Sequence, residues 1–256
     1  MNLNYNHARD LMVKNQLRPN KIKEKKILEL FSTIPKEKYV PNNVKNICYT
    51  DKNLTITNQR GYLKNLHLAQ ILNCSNIKPN DNVMHIGGLT GYLSVIISQL
   101  CKNLTIVEQN DDVLDSLNQN IKESNLLNTS IVKNDLLDGY KPNAPYEVII
   151  IDCPLNELSK KIISQLNLNN GRLIYIKKQK DDLSKAYKLT KNNNLHTSEY
   201  LFDVFRSGQL DEGVRSLAFS MRLQAKDKTL TDEEVGVVRQ RCIEAVESAY
   251  PASLRA

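Results

Sequence analysis

Val83-Met84-His85-Ile86-Gly87-Gly88-Leu89-Thr90-Gly91-Tyr92 is a short apolar run halted by two glycines, and a helical period follows from Gly91 to Leu100. A strand that turns sharply into a helix leaves free backbone N–H groups at the turn, and glycines there let a ligand approach closely. The next strand, Leu104-Thr105-Ile106-Val107, ends at Glu108, 108 − 87 = 21 residues beyond Gly87. In a doubly wound sheet a carboxylate at that place accepts both hydrogen bonds of a ribose diol. Asp135 follows a third strand, Ser130 to Lys133, at the same edge.

These three features in register point to a nucleoside ligand held by Gly87, Gly88, Gly91, Glu108 and Asp135. The G-x-G-x-x-G spacing is missing, so an adenosyl sulfonium fits better than a dinucleotide. His85 is a candidate ligand contact, and a satisfied core or rim histidine is its plainer reading.

The alternation continues on both sides of the glycine turn. Residues 5–17 and 22–33 carry helical spacing, residues 34–62 read as loops around Pro35, Pro41 and Gly61, and Leu66 to Leu72 reads as a helix. Residues 110–124 form a polar amphipathic helix on Val113, Leu114, Leu117 and Ile121. The all-apolar Val148-Ile149-Ile150-Ile151 predicts a central strand covered on both faces. Residues 157–167 look helical, and Arg172 to Lys177 forms another strand. The expectation is an α/β fold, a doubly wound and mostly parallel sheet that is Rossmann-like in its alternation.

A composition break falls near residue 203. Residues 1–203 hold 27 Lys/Arg against 20 Asp/Glu, whereas residues 204–256 hold 8 against 8, so the whole net charge of +7 lies before the break. Lysine outnumbers arginine 23 to 4 before it, and arginine outnumbers lysine 6 to 2 after it; asparagine falls from 30 to none. No folding requirement makes that exchange on solvated surface, so the chain reads as two coding histories joined, 1–203 and 204–256. The excess lysines are dispersed, which makes a weak case for nucleic acid.

After the break, Leu217, Phe219, Met221 and Leu223 alternate with small and polar residues as a half-buried strand does. Thr231-Asp232-Glu233-Glu234 has the capping-box pattern, followed by a helix with Val235, Val238, Cys242, Val246 and Ala249 on one face. The tail therefore reads as a partial α+β unit.

Five scattered cysteines without a C-x-x-C pair, and four scattered histidines, argue for free thiols and against a metal site. No apolar run reaches the roughly 18 residues of a membrane span, and the first 20 lack a signal-peptide core. A soluble, cytoplasmic protein is expected.

Residues 1 to about 203 resemble the protein-L-isoaspartate O-methyltransferase family, in particular a divergent bacterial branch. The resemblance rests on Ala8-Arg9-Asp10-Leu11-Met12-Val13, Asn15-Gln16-Leu17-Arg18-Pro19-Asn20 and Ile34-Pro35-Lys36-Glu37-Lys38-Tyr39-Val40-Pro41, with the glycine loop and Ala144-Pro145-Tyr146-Glu147-Val148-Ile149. It implies S-adenosyl-L-methionine as cofactor, a protein or peptide substrate, and methyl transfer to a carboxylate or other oxygen. The chain departs from the family pattern at His85, usually an acid, and at Leu89, usually a glycine. The family's substrate-side Thr-Ile-Ser falls on Gly61-Tyr62-Leu63, without either hydroxyl. Arg60 and Tyr62 lie where the acceptor is expected and are candidates to orient it. A catalytically degenerate binding protein is the rival reading.

Residues from Leu201 onward resemble the C-terminal part of the ferredoxin-fold anticodon-binding domain of the phenylalanyl-tRNA synthetase β subunit. Leu201-Phe202-Asp203-Val204-Phe205, Glu212-Gly213-Val214-Arg215-Ser216-Leu217-Ala218-Phe219 and Thr229-Leu230-Thr231-Asp232-Glu233-Glu234-Val235 carry it. This implies a tRNA or a synthetase subunit as a further partner, although the tail's net charge of zero argues against strong RNA binding by itself.

Overall fold

A computed structural model describes residues 4–58, 60–179, 184–193, 195–204 and 231–249. The chain divides into two compact units, Met1–Gln209 and Leu210–Ala256.

The first unit opens with α1 (Tyr5–Met12), which runs on through a wider π turn to Leu17, and α2 (Lys25–Thr33). Short 3-10 turns lead to the two-residue strands β1 (Leu54–Thr55) and β2 (Gly61–Tyr62), an antiparallel pair, and then to α3 (Asn65–Ser75). The alternating part follows as β3 (Asn82–Ile86), α4 (Tyr92–Ser98), β4 (Asn103–Glu108), α5 (Asp111–Glu123), β5 (Thr129–Lys133), β6 (Val148–Leu155), α6 (Lys160–Ser164) and β7 (Asn169–Lys178). Two further strands, β8 (Ser184–Asn192) and β9 (Leu195–Val204), complete a seven-stranded sheet of order β5-β4-β3-β6-β7-β8-β9. The pairs from β5 to β7 are parallel, and β8 and β9 are added antiparallel.

Period-2 alternation along the central strands creates two cores, one on each face. Val83, Leu104, Ile106, Val148 and Ile150 pack with α1 to α4 and with Leu117 and Ile121 of α5. Met84, Ile86, Val107, Ile149 and Ile151 pack with Ile162 of α6. The first half of β6, Val148 to Ile151, is apolar throughout because both of its faces are covered.

The N-terminal signature residues hold this frame. Arg9 donates to the Thr33 carbonyl at 2.8 Å and pairs with Glu37 at 3.4 Å, and the Tyr49 hydroxyl donates to Glu37 at 2.5 Å. Gln16 donates to the Tyr49 carbonyl at 2.7 Å. The Thr90 hydroxyl donates to the Tyr39 carbonyl, which ties this N-terminal layer to the glycine loop.

In the second unit, α7 (Asp232–Ala249) begins directly after Thr231, whose carbonyl accepts from the Val235 amide at 3.0 Å. Val235, Val238 and Cys242 are half-buried and Val246 is exposed. The strand expected over 217–224 lies outside the described residues. No helix among those described is long and apolar enough to cross a membrane.

Candidate functional site

The turn from β3 into α4 is built by backbone geometry. Gly87 and Gly91 both take positive φ, 93° and 98°, where a side chain is strained. The Gly87 amide donates to the Val107 carbonyl at 2.9 Å, and the Gly91 amide to the Gly88 carbonyl at 2.9 Å, closing the loop. A Cβ on Gly88 would stand 2.5 Å from Ile106 Cγ2, so the loop lies flat on β4 only because it has no side chain there. Leu89 also sits at positive φ, 49°, and is buried in the main core.

Glu108 ends β4 beside this turn and is 0 % exposed. Its Oε1 accepts from the Gln109 and Asn110 amides, both at 2.9 Å, and its Oε2 from the Leu89 amide at 3.0 Å. Arg60, from the segment before β2, closes on it as a fork: Nη1 to Oε1 at 3.0 Å and Nη2 to Oε2 at 2.6 Å. Burial alone would favour the neutral acid, but Arg60 and the amides outweigh it and hold Glu108 below the usual carboxylate range. Burial likewise works against the charge on Arg60, and the Glu108 carboxylate overcomes it, lifting the guanidinium above its ordinary value. Separation in sequence hides this pair, 48 residues apart.

The loop after β5 joins the same edge. The Leu136 amide donates to Gln109 Oε1 at 3.1 Å, linking this loop to the residue after Glu108. Asp135 is exposed, and its Oδ1 accepts from the Leu137 amide at 2.7 Å.

Tyr62 and His85 are placed differently. Tyr62 is buried; its hydroxyl lies 2.9 Å from Thr90 Oγ1 and accepts from the Tyr92 amide at 3.0 Å. It therefore braces the glycine loop from below. His85 is wholly buried in β3, with Nδ1 2.8 Å from Ser94 Oγ and Nε2 3.5 Å from Asp152 Oδ1. Serine, histidine and carboxylate are in line, but burial of all three denies them a substrate.

Two residues at the end of β6 escape notice in the sequence. The ladder with β7 shifts between Ile151 and Pro154, bringing Asp152 and Cys153 against Gly87. A Cβ on Gly87 would meet Cys153 Sγ at 3.3 Å and Asp152 Oδ1 at 3.4 Å. Burial, with the Asp152 carboxylate next to it, pushes the Cys153 thiol up to about 12, so it is no thiolate nucleophile at neutral pH. The signal for both residues is positional: they directly follow the apolar run Val148–Ile151, toward the ligand-facing end of the central strand.

The sites for the substrate-side hydroxyls are filled by the fold. Gly61 lies so close to β1 that a Cβ would stand 1.8 Å from the Leu54 carbonyl oxygen, and Leu63 is buried in the core.

The family model of protein-L-isoaspartate(D-aspartate) O-methyltransferase matches residues 7–204, and that of the ferredoxin-fold anticodon binding domain matches residues 173–255. The second match starts inside β7, upstream of Leu201, so residues 173–204 fall under both. The protein-L-isoaspartate O-methyltransferase of Methanoculleus marisnigri is 28 % identical over 166 residues, covering 65 % of this chain and 75 % of that one. The enzyme of the same name from Protochlamydia amoebophila is 26 % identical over 163 residues, covering 64 % and 77 %. A solved protein-L-isoaspartate O-methyltransferase superposes with a TM-score of 0.67 at 20 % identity, covering 78 % of this chain and 66 % of that one, which shows the fold. The chain belongs to the protein-L-isoaspartate(D-aspartate) O-methyltransferase family and is by that membership an S-adenosyl-L-methionine-dependent methyltransferase.

Proposed function

We propose that this chain transfers a methyl group to a carboxylate oxygen of a protein or peptide. The observation that carries the reading is Glu108, a buried carboxylate held ionised beside a turn whose glycines stand at positive φ. A carboxylate acceptor beside such a turn fits an adenosyl group with a free ribose diol. When bound, the cofactor supplies an electrophilic methyl on a positively charged sulfur.

The chain's own residues supply position. Gly87, Gly88 and Gly91 form the turn beneath the cofactor, seated without side chains against β4, α5 and the end of β6, Glu108 takes the ribose hydroxyls, and Asp135 lies on the adenine side. Tyr62 acts through Thr90 and the Tyr92 amide, keeping the turn in place, and His85 supports it from within β3. Arg60 is the cation for the acceptor. A carboxylate acceptor is already ionised at neutral pH, so no general base is required and alignment of two reacting atoms is most of the task. The reading is tested by titrating S-adenosylhomocysteine into the full chain and into Glu108→Ala, by calorimetry and thermal shift. Saturable binding that the variant loses is expected. Ligand at 100 times its dissociation constant stabilises the folded state by about 2.7 kcal/mol. A folded chain that ignores millimolar ligand would leave the degenerate binding protein as the correct description.

A second reading, that the C-terminal part meets a tRNA or a synthetase subunit, is supported by the anticodon-binding match alone. Gel-shift with bulk tRNA checks it, with residues 1–204 fused to no tail as the comparison.

A further inference from the structure

Glu108 is saturated. Its two oxygens receive five hydrogen bonds, three from the Leu89, Gln109 and Asn110 amides and two from Arg60. A carboxylate offers about four lone-pair sites, so nothing is left for another donor. The three amides belong to the glycine turn and to the entry of α5, and they leave only if those elements unfold. The acceptor positions available to a ribose diol are therefore the ones Arg60 now holds. A guanidinium fork and a vicinal diol present the same pattern to a carboxylate, two donors side by side.

Resting on the reading of Glu108 as the ribose acceptor, we propose that Arg60 is an internal competitor for the cofactor: ribose and guanidinium take Glu108 in turn. Cofactor binding then releases the Arg60 fork, and that release makes a cation available for an anionic acceptor only after the cofactor is seated.

The surroundings of Arg60 suit an exchange. Its backbone is fixed independently of its side chain, the carbonyl accepting from the Ile56 and Thr57 amides at 3.1 and 2.9 Å. Among the described residues its Nε has no hydrogen-bond partner, and the two contacts to Glu108 are the hydrogen bonds that hold the guanidinium there. Its side chain is 14 % exposed, against 0 % for Glu108, which puts it on the solvent side of the pair. The charge of Asp152, at the end of β6, also acts on it. Two carboxylates at one edge repel an acceptor carboxylate, and a freed guanidinium beside them is the group that admits it.

The test is calorimetric titration of S-adenosylhomocysteine into the full wild-type chain, Arg60→Ala and Arg60→Lys, each checked for folding by circular dichroism. Removing the competitor is expected to tighten binding at least tenfold in Arg60→Ala. The lysine variant, which can cover only one oxygen at a time, is expected to fall between the two and preserves the charge if the alanine variant does not fold. In parallel, the Arg60 Nε–H resonance in an arginine-labelled sample is expected to shift when the ligand saturates wild type. Equal or weaker binding by the Arg60 variants, with wild type saturating, overturns the competition and leaves the cofactor site standing. Absence of binding by every folded form, Arg60→Ala included, overturns the cofactor reading itself, and the competition with it.

Discussion

The Cα of Gly61 lies against the carbonyl oxygen of Leu54 so closely that a Cβ would stand 1.8 Å away, inside any permitted contact. This contact between β1 and β2 accounts for the missing threonine at that position. Restoring the family pattern by Gly61→Thr, alone or with Leu63→Ser, is expected to pry the two strands apart rather than to return a working hydroxyl. Overpacking of this kind costs about 1–3 kcal/mol, and Leu63→Ser adds the loss of a buried apolar side chain. A urea denaturation midpoint that falls in both variants, without gain of methyl transfer to an isoaspartyl peptide, is the expected outcome. Gain of activity at unchanged stability would contradict it.

Lys36 gives the chain an unusual pH dependence. It is 0 % exposed, donates to Asn65 Oδ1 at 2.8 Å, and lies over the rings of Tyr62 and Tyr92 at 5.5 and 5.2 Å. Burial lowers its pKa from 10.5 to about 7. Between those two values the unfolded chain binds a proton that the folded chain does not, so stability rises with pH across that window and is lost as pH falls toward 7. The full effect is on the order of 5 kcal/mol, reduced by whatever the two rings return. Lys36→Met is expected to flatten the rise between pH 7 and 10, as read from urea midpoints. A slope equal to the wild type's would assign the dependence to other groups.

Legibility in the sequence followed burial. β3, β4 and β6 could be placed because each is apolar on a covered face, and the two cores meet on them. β9 could not, because it is exposed at Leu195–Tyr200 and its Leu-His-Thr-Ser-Glu-Tyr carries no period. The edge of a sheet imposes little on its sequence. Within the site, Glu108 was visible because chain order puts it at a strand end. Its partner Arg60 was placed near the acceptor, but no spacing rule connects a loop arginine to a carboxylate 48 residues away. Tyr62 is the opposite case: a polar side chain expected at the acceptor is buried and hydrogen-bonds to Thr90 and the Tyr92 amide.

These bonds have a measurable value. The Tyr62 hydroxyl accepts from the Tyr92 amide, one of the orphan donors at the start of α4, and meets Thr90 as well. Tyr62→Phe keeps the ring against Tyr92 and removes only these bonds. Leaving a buried N–H unsatisfied costs about 1–3 kcal/mol, and the glycine turn loses its lower anchor. Thermal denaturation is expected to show the destabilisation, and S-adenosylhomocysteine affinity is expected to fall with it. Loss of affinity without loss of stability would instead place the hydroxyl in contact with the ligand.

Gly88 and Ile106 offer a test of the loop's seating that does not depend on any ligand. A methyl at Gly88 would stand 2.5 Å from Ile106 Cγ2, and Leu117 Cδ2 waits at 3.4 Å, so Gly88→Ala must either lift the loop or displace the core of β4. Either costs about 1–3 kcal/mol. Ile106→Ala alone opens a cavity at a fully buried position and costs about 2–5 kcal/mol. Together the two changes are complementary, because the added methyl enters the space the isoleucine gave up. The double variant is therefore expected to be more stable than the sum of the single effects by about 1 kcal/mol or more, an interaction of the size found for residues in contact. Additive losses would mean that the loop does not rest on Ile106. The geometry by which Gly88 brings the Leu89 amide to Glu108 would then have to be drawn again.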